Sequence, residues 1–281
     1  MQTELIGEWR KPVNTAANQK GGIHDDATAT DLGFRGGTVA GSIHMEQFPP
    51  LLVELFGDDW WRSGTLSLYF KSATVDLEPV RCFISSAEKI GEIDRASVWM
   101  EKEDGTVIVS GTASCGGHDD QSELRQRLAS IRPISELRML SNLHLGNTCS
   151  PQPSLVTNKF VDGQLKVITE PMACYQSAEQ FGDRVLPMTQ IVRAFGPAEH
   201  VLAEDVKPPF VGLYGAIEIE YVNGPVFSET EYTASGQIAG LSDSPQTEIL
   251  WRDMLLTRGD QPVARMLKMD RLMKDSSPLW K

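Results

Sequence analysis

The stretch GTLSLYFKSA, residues 64–73, decides the fold, because its pattern returns later in the chain. Leu66, Leu68 and Phe70 alternate with Ser67, Tyr69 and Lys71. That period of two belongs to a strand with one face buried and one face wet. About 150 residues on, GAIEIEYV (215–222) alternates Ile217, Ile219 and Tyr221 against Glu218 and Glu220, with Gly64 matching Gly215.

Working outward, each of these strands opens a meander. After the first come VRCFIS (80–85), DRASVWMEK (94–102) and TVIVSGTAS (106–114), the last two joined through Asp104-Gly105, a pair suited to a tight hairpin turn. After the second come a strand near 226–238, then TEILWRDMLLT (247–257), a turn at Arg258-Gly259-Asp260, and VARMLKMDRLM (263–273). Ahead of each meander lies a helical segment. In the first half it is VAGSIHMEQF (39–48), running into LLVELFGDDWW (51–61) with a break at Pro49-Pro50. In the second half it is LPMTQIVRAFG (186–196). Early strands are expected at LIGEWRKPV (5–13) and QLKVITEP (164–171).

A strand, a helix and an antiparallel sheet, written twice, give an α+β class with a duplicated unit. The same order describes a double hotdog, two antiparallel sheets each wrapped around a central helix. The expected units are residues 1–117 and 160–281. Residues 118–159 form the linker, polar and rich in Pro and Ser after the short helix SELRQRLASI (122–131).

Composition narrows the function. The 281 residues carry 26 Lys plus Arg against 38 Asp plus Glu, a formal charge of −12, which disfavours sequence-independent nucleic-acid binding and adsorption to anionic membranes. Cys82, Cys115, Cys149 and Cys174 form no CxxC pair, so they read as reduced thiols. MQTELIGEWRKPV offers no apolar leader, and a soluble, cytoplasmic protein is the expectation.

The densest chemistry lies in KGGIHDDATATDLGFRGGTVAGSIHMEQF, residues 20–48. Ile23-His24-Asp25-Asp26, then Ala29, Gly33-Phe34, the loop Arg35-Gly36-Gly37 and Ala40-Gly41 resemble, in order, the signature of the MaoC-like hydratase and dehydratase family. The resemblance implies an acyl-thioester substrate, usually of coenzyme A, with water added across or removed from a 2,3 double bond. It implies no cofactor, and a homodimer of double-hotdog chains is expected. It makes His24 the acid/base, with Asp26 or Asp25 as its partner. It makes the Gly36-Gly37 loop and Gly41 the backbone near the thioester carbonyl, with Gln19, Arg35, His44 and Tyr175 as further substrate contacts. Where the family carries its catalytic Asp this chain has Gln19, which can position water but cannot act as a base at neutral pH.

Other readings stay open. An Asp before ATATDLGF also reads as a helix cap. Gly117-His118-Asp119-Asp120 reads as a solvated turn. His24, Asp26 and His44 have no metal-ligand spacing, so no metal is expected. The second-half window EPMACYQSAEQFG (170–182) keeps an Ala and a Phe-Gly but has no histidine, and Tyr175 falls near the position of His24. Catalysis is therefore expected in the first half only. The alternatives are thioester hydrolysis, for which Glu46 is the available acid near the helix, and a non-catalytic protein that binds an acyl group or a partner.

Overall fold

The computed structural model describes residues 4–132, 134 and 136–281. The first half runs β1 (Leu5–Ile6), α1 (Asp26–Asp31), α2 (Gly41–Met45), α3 (Pro49–Phe56), α4 (Trp60–Ser63), β2 (Gly64–Phe70), β3 (Val80–Ile84), β4 (Glu88–Ile90), β5 (Ile93–Lys102) and β6 (Val107–Cys115). A connecting helix, α5 (Glu123–Ala129), leads to the second half. That half runs β7 (Thr148–Leu155), α6 (Asn158–Gln164), α7 (Ala173–Gln176), α8 (Met188–Leu202), β8 (Gly212–Tyr221), β9 (Glu231–Asp243), β10 (Thr247–Arg258) and β11 (Gln261–Met273).

The strands form one antiparallel sheet in the order β1-β3-β5-β6-β2-β8-β11-β10-β9-β7, with β4 beside β5. The order is a palindrome about the β2–β8 seam, so the duplication seen in sequence is a pseudo-two-fold in space. At the seam Leu66 pairs with Ile219 and Leu68 with Ile217. All four are buried against the helices, as the alternation requires. Phe70 is only partly buried against the same core. The opposite face carries Ser67 and Glu218, and α5 lies over them. The Leu124 amide donates to Ser67 Oγ (3.0 Å), Ser122 Oγ to Glu218 Oε2 (2.5 Å) and Arg125 Nε to Glu218 Oε1 (3.0 Å).

Pro49 and Pro50 break the first central helix and also start the next, occupying the first positions of α3. A proline there loses no helical hydrogen bond. Helix α8 continues past the expected end at Gly196, through Pro197, to Leu202. The Asp104-Gly105 turn forms as expected, with Gly105 at φ +78°.

Two local expectations fail. Residues 164–171 form no strand, since α6 ends at Gln164. The strand equivalent to β1 is β7, inside the stretch read as linker, where it pairs with β9. TCSPQPSL hides it because Pro151 and Pro153 look like loop residues. They are tolerated at the sheet edge, where a register shift between Cys149 and Gln152 accommodates the irregularity. The Gly117–Asp120 segment is solvated only in part, with His118 and Asp120 exposed and Asp119 buried. His118 Nδ1 lies 2.8 Å from Glu220 Oε1, and Asp119 is buried in an ion pair with Arg95.

Candidate active site

A cavity of about 290 Å³ opens where β2 and β8 part beyond their last pair, Tyr69 with Ala216. Both halves build it. The first contributes His24, the Thr38–Gly41 approach to α2, His44, and the segment from Phe70 to Thr74. The second contributes Gly212 to Tyr214, Gln246, Thr247, Arg271 and Met273.

His24 sits on the loop before α1, and its position is fixed through its backbone. Asn14 Nδ2 donates to the His24 carbonyl (2.8 Å), and the Thr38 amide to the Ile23 carbonyl (2.8 Å). Gly37 lies so close that a Cβ there would stand 2.3 Å from the His24 carbonyl oxygen, so only glycine fits. The imidazole Nδ1 is 2.7 Å from the Thr38 carbonyl oxygen. A carbonyl only accepts, so Nδ1 carries a proton, and in the neutral ring Nε2 keeps the lone pair. Nε2 has no hydrogen-bond partner among the described residues.

The neighbouring aspartates do other work, and neither lines the cavity. Asp25 caps α1, accepting from the Thr28 amide (3.2 Å) and hydroxyl (2.9 Å) and from Lys20 Nζ (2.5 Å). Those hydrogen bonds, that of Lys20 first, hold its carboxyl below the usual range. Asp26 Oδ1 accepts from the Gly37 amide (2.7 Å) and so ties the glycine loop to α1. Gln19 is exposed on a turn, its amide bonded to the Ala16 carbonyl. Arg35 is held by both oxygens of Glu78 (2.8 and 2.6 Å). Gly36 and Gly37 lie behind the wall, whereas Gly41 forms part of it, with a Cβ there set to meet the Phe70 ring at 2.6 Å.

His44 lines the cavity. Its Nε2 lies 2.8 Å from Thr74 Oγ1, and burial pulls its pKa down to about 4, so the ring is neutral. Glu46, two residues further, points away from the cavity into the junction of the halves. It accepts from Gln164 Nε2 (2.6 Å) and the Thr189 amide (3.0 Å), and burial raises its pKa to about 7. Among the described residues no Asp or Glu lines the cavity, and no cluster of three His, Cys, Asp or Glu is placed to hold a metal ion.

The cavity has one strong electrostatic bias. Lys71 and Arg271 line it, and neither makes a salt bridge among the described residues. Arg271 is oriented by Tyr69, whose hydroxyl accepts from NH2 at 2.5 Å.

Among the described residues the matching place in the second half is filled, and the pairing of the backbone shows with what. The Val185 amide donates to the Cys174 carbonyl (2.9 Å) as the Thr38 amide does to that of Ile23. The Leu186 amide donates to Val226 as the Val39 amide does to Thr74. Tyr175 therefore stands at the place of His24, and Ile191 at that of His44. With Gly64 matching Gly215, the counterpart of Gly212 is Trp61. Trp60, Trp61, Tyr175 and Tyr221 fill the space edge to face, with Trp61 and Tyr175 ring centres 5.9 Å apart. Tyr175 is wholly buried there and does not reach the first-half cavity.

Sequence reasoning missed Thr38, Lys71, Tyr214, Thr247 and Arg271. Only Lys71 had a visible signal, as the charge ending an alternating strand. The others come from distant segments that meet at the seam.

No protein-family model matches the sequence, and no curated protein matches it. Solved structures do match. The chain is similar to a protein from Chloroflexus aurantiacus J-10-fl designated a MaoC domain protein dehydratase, with a TM-score of 0.62 at 11% identity over 97% of this chain and 95% of that one. It is similar to a conserved hypothetical protein from Mycobacterium tuberculosis with a double hotdog fold, with a TM-score of 0.64 at 10% identity over 96% of both chains. A MaoC-like dehydratase matches with a TM-score of 0.58 at 11% identity over 95% of this chain and 97% of that one. The chain has a double hotdog fold, the architecture of these MaoC-like structures. At such identities the likeness is one of fold.

Proposed function

We propose that the protein is a hydro-lyase that adds water to, or removes it from, the 2,3 bond of an acyl thioester. The observation that carries this reading is the state of His24. The Thr38 carbonyl holds its Nδ1–H, the residue lines the cavity, and Nε2 is the atom left to act as a base. In the dehydration direction Nε2 takes the proton from C2 and the C2–H electrons form the double bond. The C3–O bond breaks, and the imidazolium returns the proton to the departing hydroxyl as water. One base serves both steps on one face of the substrate, in keeping with a cavity that offers no carboxylate. The Gly41 amide, at the start of α2 on the cavity wall, suits the negative charge that grows on the thioester oxygen.

Lys71 and Arg271 support a carrier with phosphates, which fits coenzyme A. Glu46, the acid that hydrolysis would need, faces away from the cavity.

The test is turnover of a panel of 2-enoyl-CoA esters, followed by loss of the conjugated thioester absorbance. His24→Ala is expected to lower the rate by about 10²–10⁴-fold. Asp26→Asn, which keeps the oxygen that accepts from Gly37, is expected to stay within about tenfold of the parent. Thiol release would point to hydrolysis, binding without turnover to a non-catalytic acyl binder, and full activity in His24→Ala would refute the assignment.

A further inference from the structure

Beyond Tyr214 the cavity wall is thin. On its far side lies a second cleft of about 560 Å³ between α2, α8 and β7, lined by Ser42, Thr189, Val192, Gly196 and Pro197 among others. Tyr214 touches both spaces, and Gly41 and Ser42 face one each.

The side chain of Tyr214 reaches this place through a bulge. In unbroken alternation it would share a face with Ala216, which packs in the outer cluster with Leu124 and Trp251. The β8–β11 register slips between Met269 and Asp270, leaving Gly215 without a partner, and Tyr214 turns inward opposite Asp270. A Cβ at 215 would stand 2.2 Å from Met269 Cε and 2.9 Å from Arg271 Nε, so both of those flexible side chains would have to shift to admit one.

Once inside, the ring is clamped. Lys268 Nζ lies 3.8 Å from its centre. Lys268 is itself buried and tied to Glu199 of α8 (2.6 Å) and to Asp270 (3.5 Å). Swinging the ring away would strip a buried cation of its aromatic partner.

We propose that Tyr214 closes the acyl end of the cavity and restricts the substrate to short acyl groups, the cleft behind it being shut to the acyl chain. The inference rests on the hydro-lyase reading for its substrate, but chain-length selection can be read from binding alone.

The experiment compares butyryl-CoA with dodecanoyl-CoA by titration calorimetry on the full chain, for the parent, Tyr214→Ala, Tyr214→Val and Tyr214→Phe. The melting curve of each variant is recorded first, and Tyr214→Val serves if Tyr214→Ala does not fold. The parent and Tyr214→Phe are expected to prefer the butyryl ester at least tenfold. The two truncations are expected to abolish or reverse that preference, since a few buried methylenes are worth at least this much. Equal binding of both esters by the parent, a truncation profile parallel to the parent's, or binding of neither ester would overturn the proposal. The enoyl-CoA assay on the same samples judges the hydro-lyase reading separately. Absent turnover with intact chain-length selection would count against that reading and leave Tyr214 as the selecting residue.

Discussion

His44 and Glu46 are two residues apart, both buried, and burial acts on them with opposite sign. His44 has its pKa lowered to about 4 from 6.5. The unfolded chain therefore binds a proton that the folded one refuses between those values, and stability falls as pH drops through that window. Glu46 has its pKa raised to about 7 from 4.5. The folded chain holds the extra proton there, so this contribution is present below pH 4.5 and is lost as pH rises through 7. Each shift corresponds to about 3 kcal/mol, and the two nearly cancel. Urea midpoints measured from pH 4 to 7.5 are expected to show it. Relative to the parent, Glu46→Gln should lose stability on acidification, and His44→Gln should gain it. Profiles parallel to the parent's in both variants would mean that these side chains are not buried as described.

The element that matters most is the pair of short segments that cradle His24. Residues 23–26 and 36–39 are stitched by the Thr38 amide, the Asp26 carboxylate and the close pass of Gly37. Gly37→Ala would push a methyl group onto backbone that cannot rotate away. We expect a loss of about 1–3 kcal/mol in stability and a fall in kcat of at least tenfold as His24 shifts. Urea unfolding and enoyl-CoA turnover read the two effects. A fully active, fully stable Gly37→Ala protein would show that this approach is not tight. The motif around His24 was legible in sequence, and so was a capping Asp before ATATDLGF, which the structure places one residue earlier, at Asp25. The two are compatible because the cap is what aims the loop. No spacing rule could show that Asp25 and Asp26 had both been taken up in this way, since their partners Lys20, Thr28 and Gly37 are ordinary residues.

Across the whole molecule the pseudo-two-fold creates two equivalent places, and one of them is plugged. Truncating the plug by Trp61→Ala should cost about 3–5 kcal/mol, the usual price of a large buried side chain removed from a packed core. Turnover that depends on His24 should survive, because Trp61 lies in the aromatic cluster of the other place. Thermal melts and rates on the same sample would check this. A stable variant with lost activity would contradict the separation of the two places.

The sequence by itself determined the duplication, the alternation that puts Leu66, Leu68, Ile217 and Ile219 on the buried face, and His24 as the residue to watch. These follow from local periodicity and from a short motif, both carried by neighbours along the chain. The tertiary structure alone decided that β7 lies at 148–155, because an edge strand tolerates prolines that a central one would not. It alone brought Lys71, Tyr214 and Arg271 to the cavity of His24, and placed Tyr175 in a filled core. Those outcomes depend on which strands meet at the seam and on a one-residue slip at Gly215, relations between distant segments that no local pattern encodes.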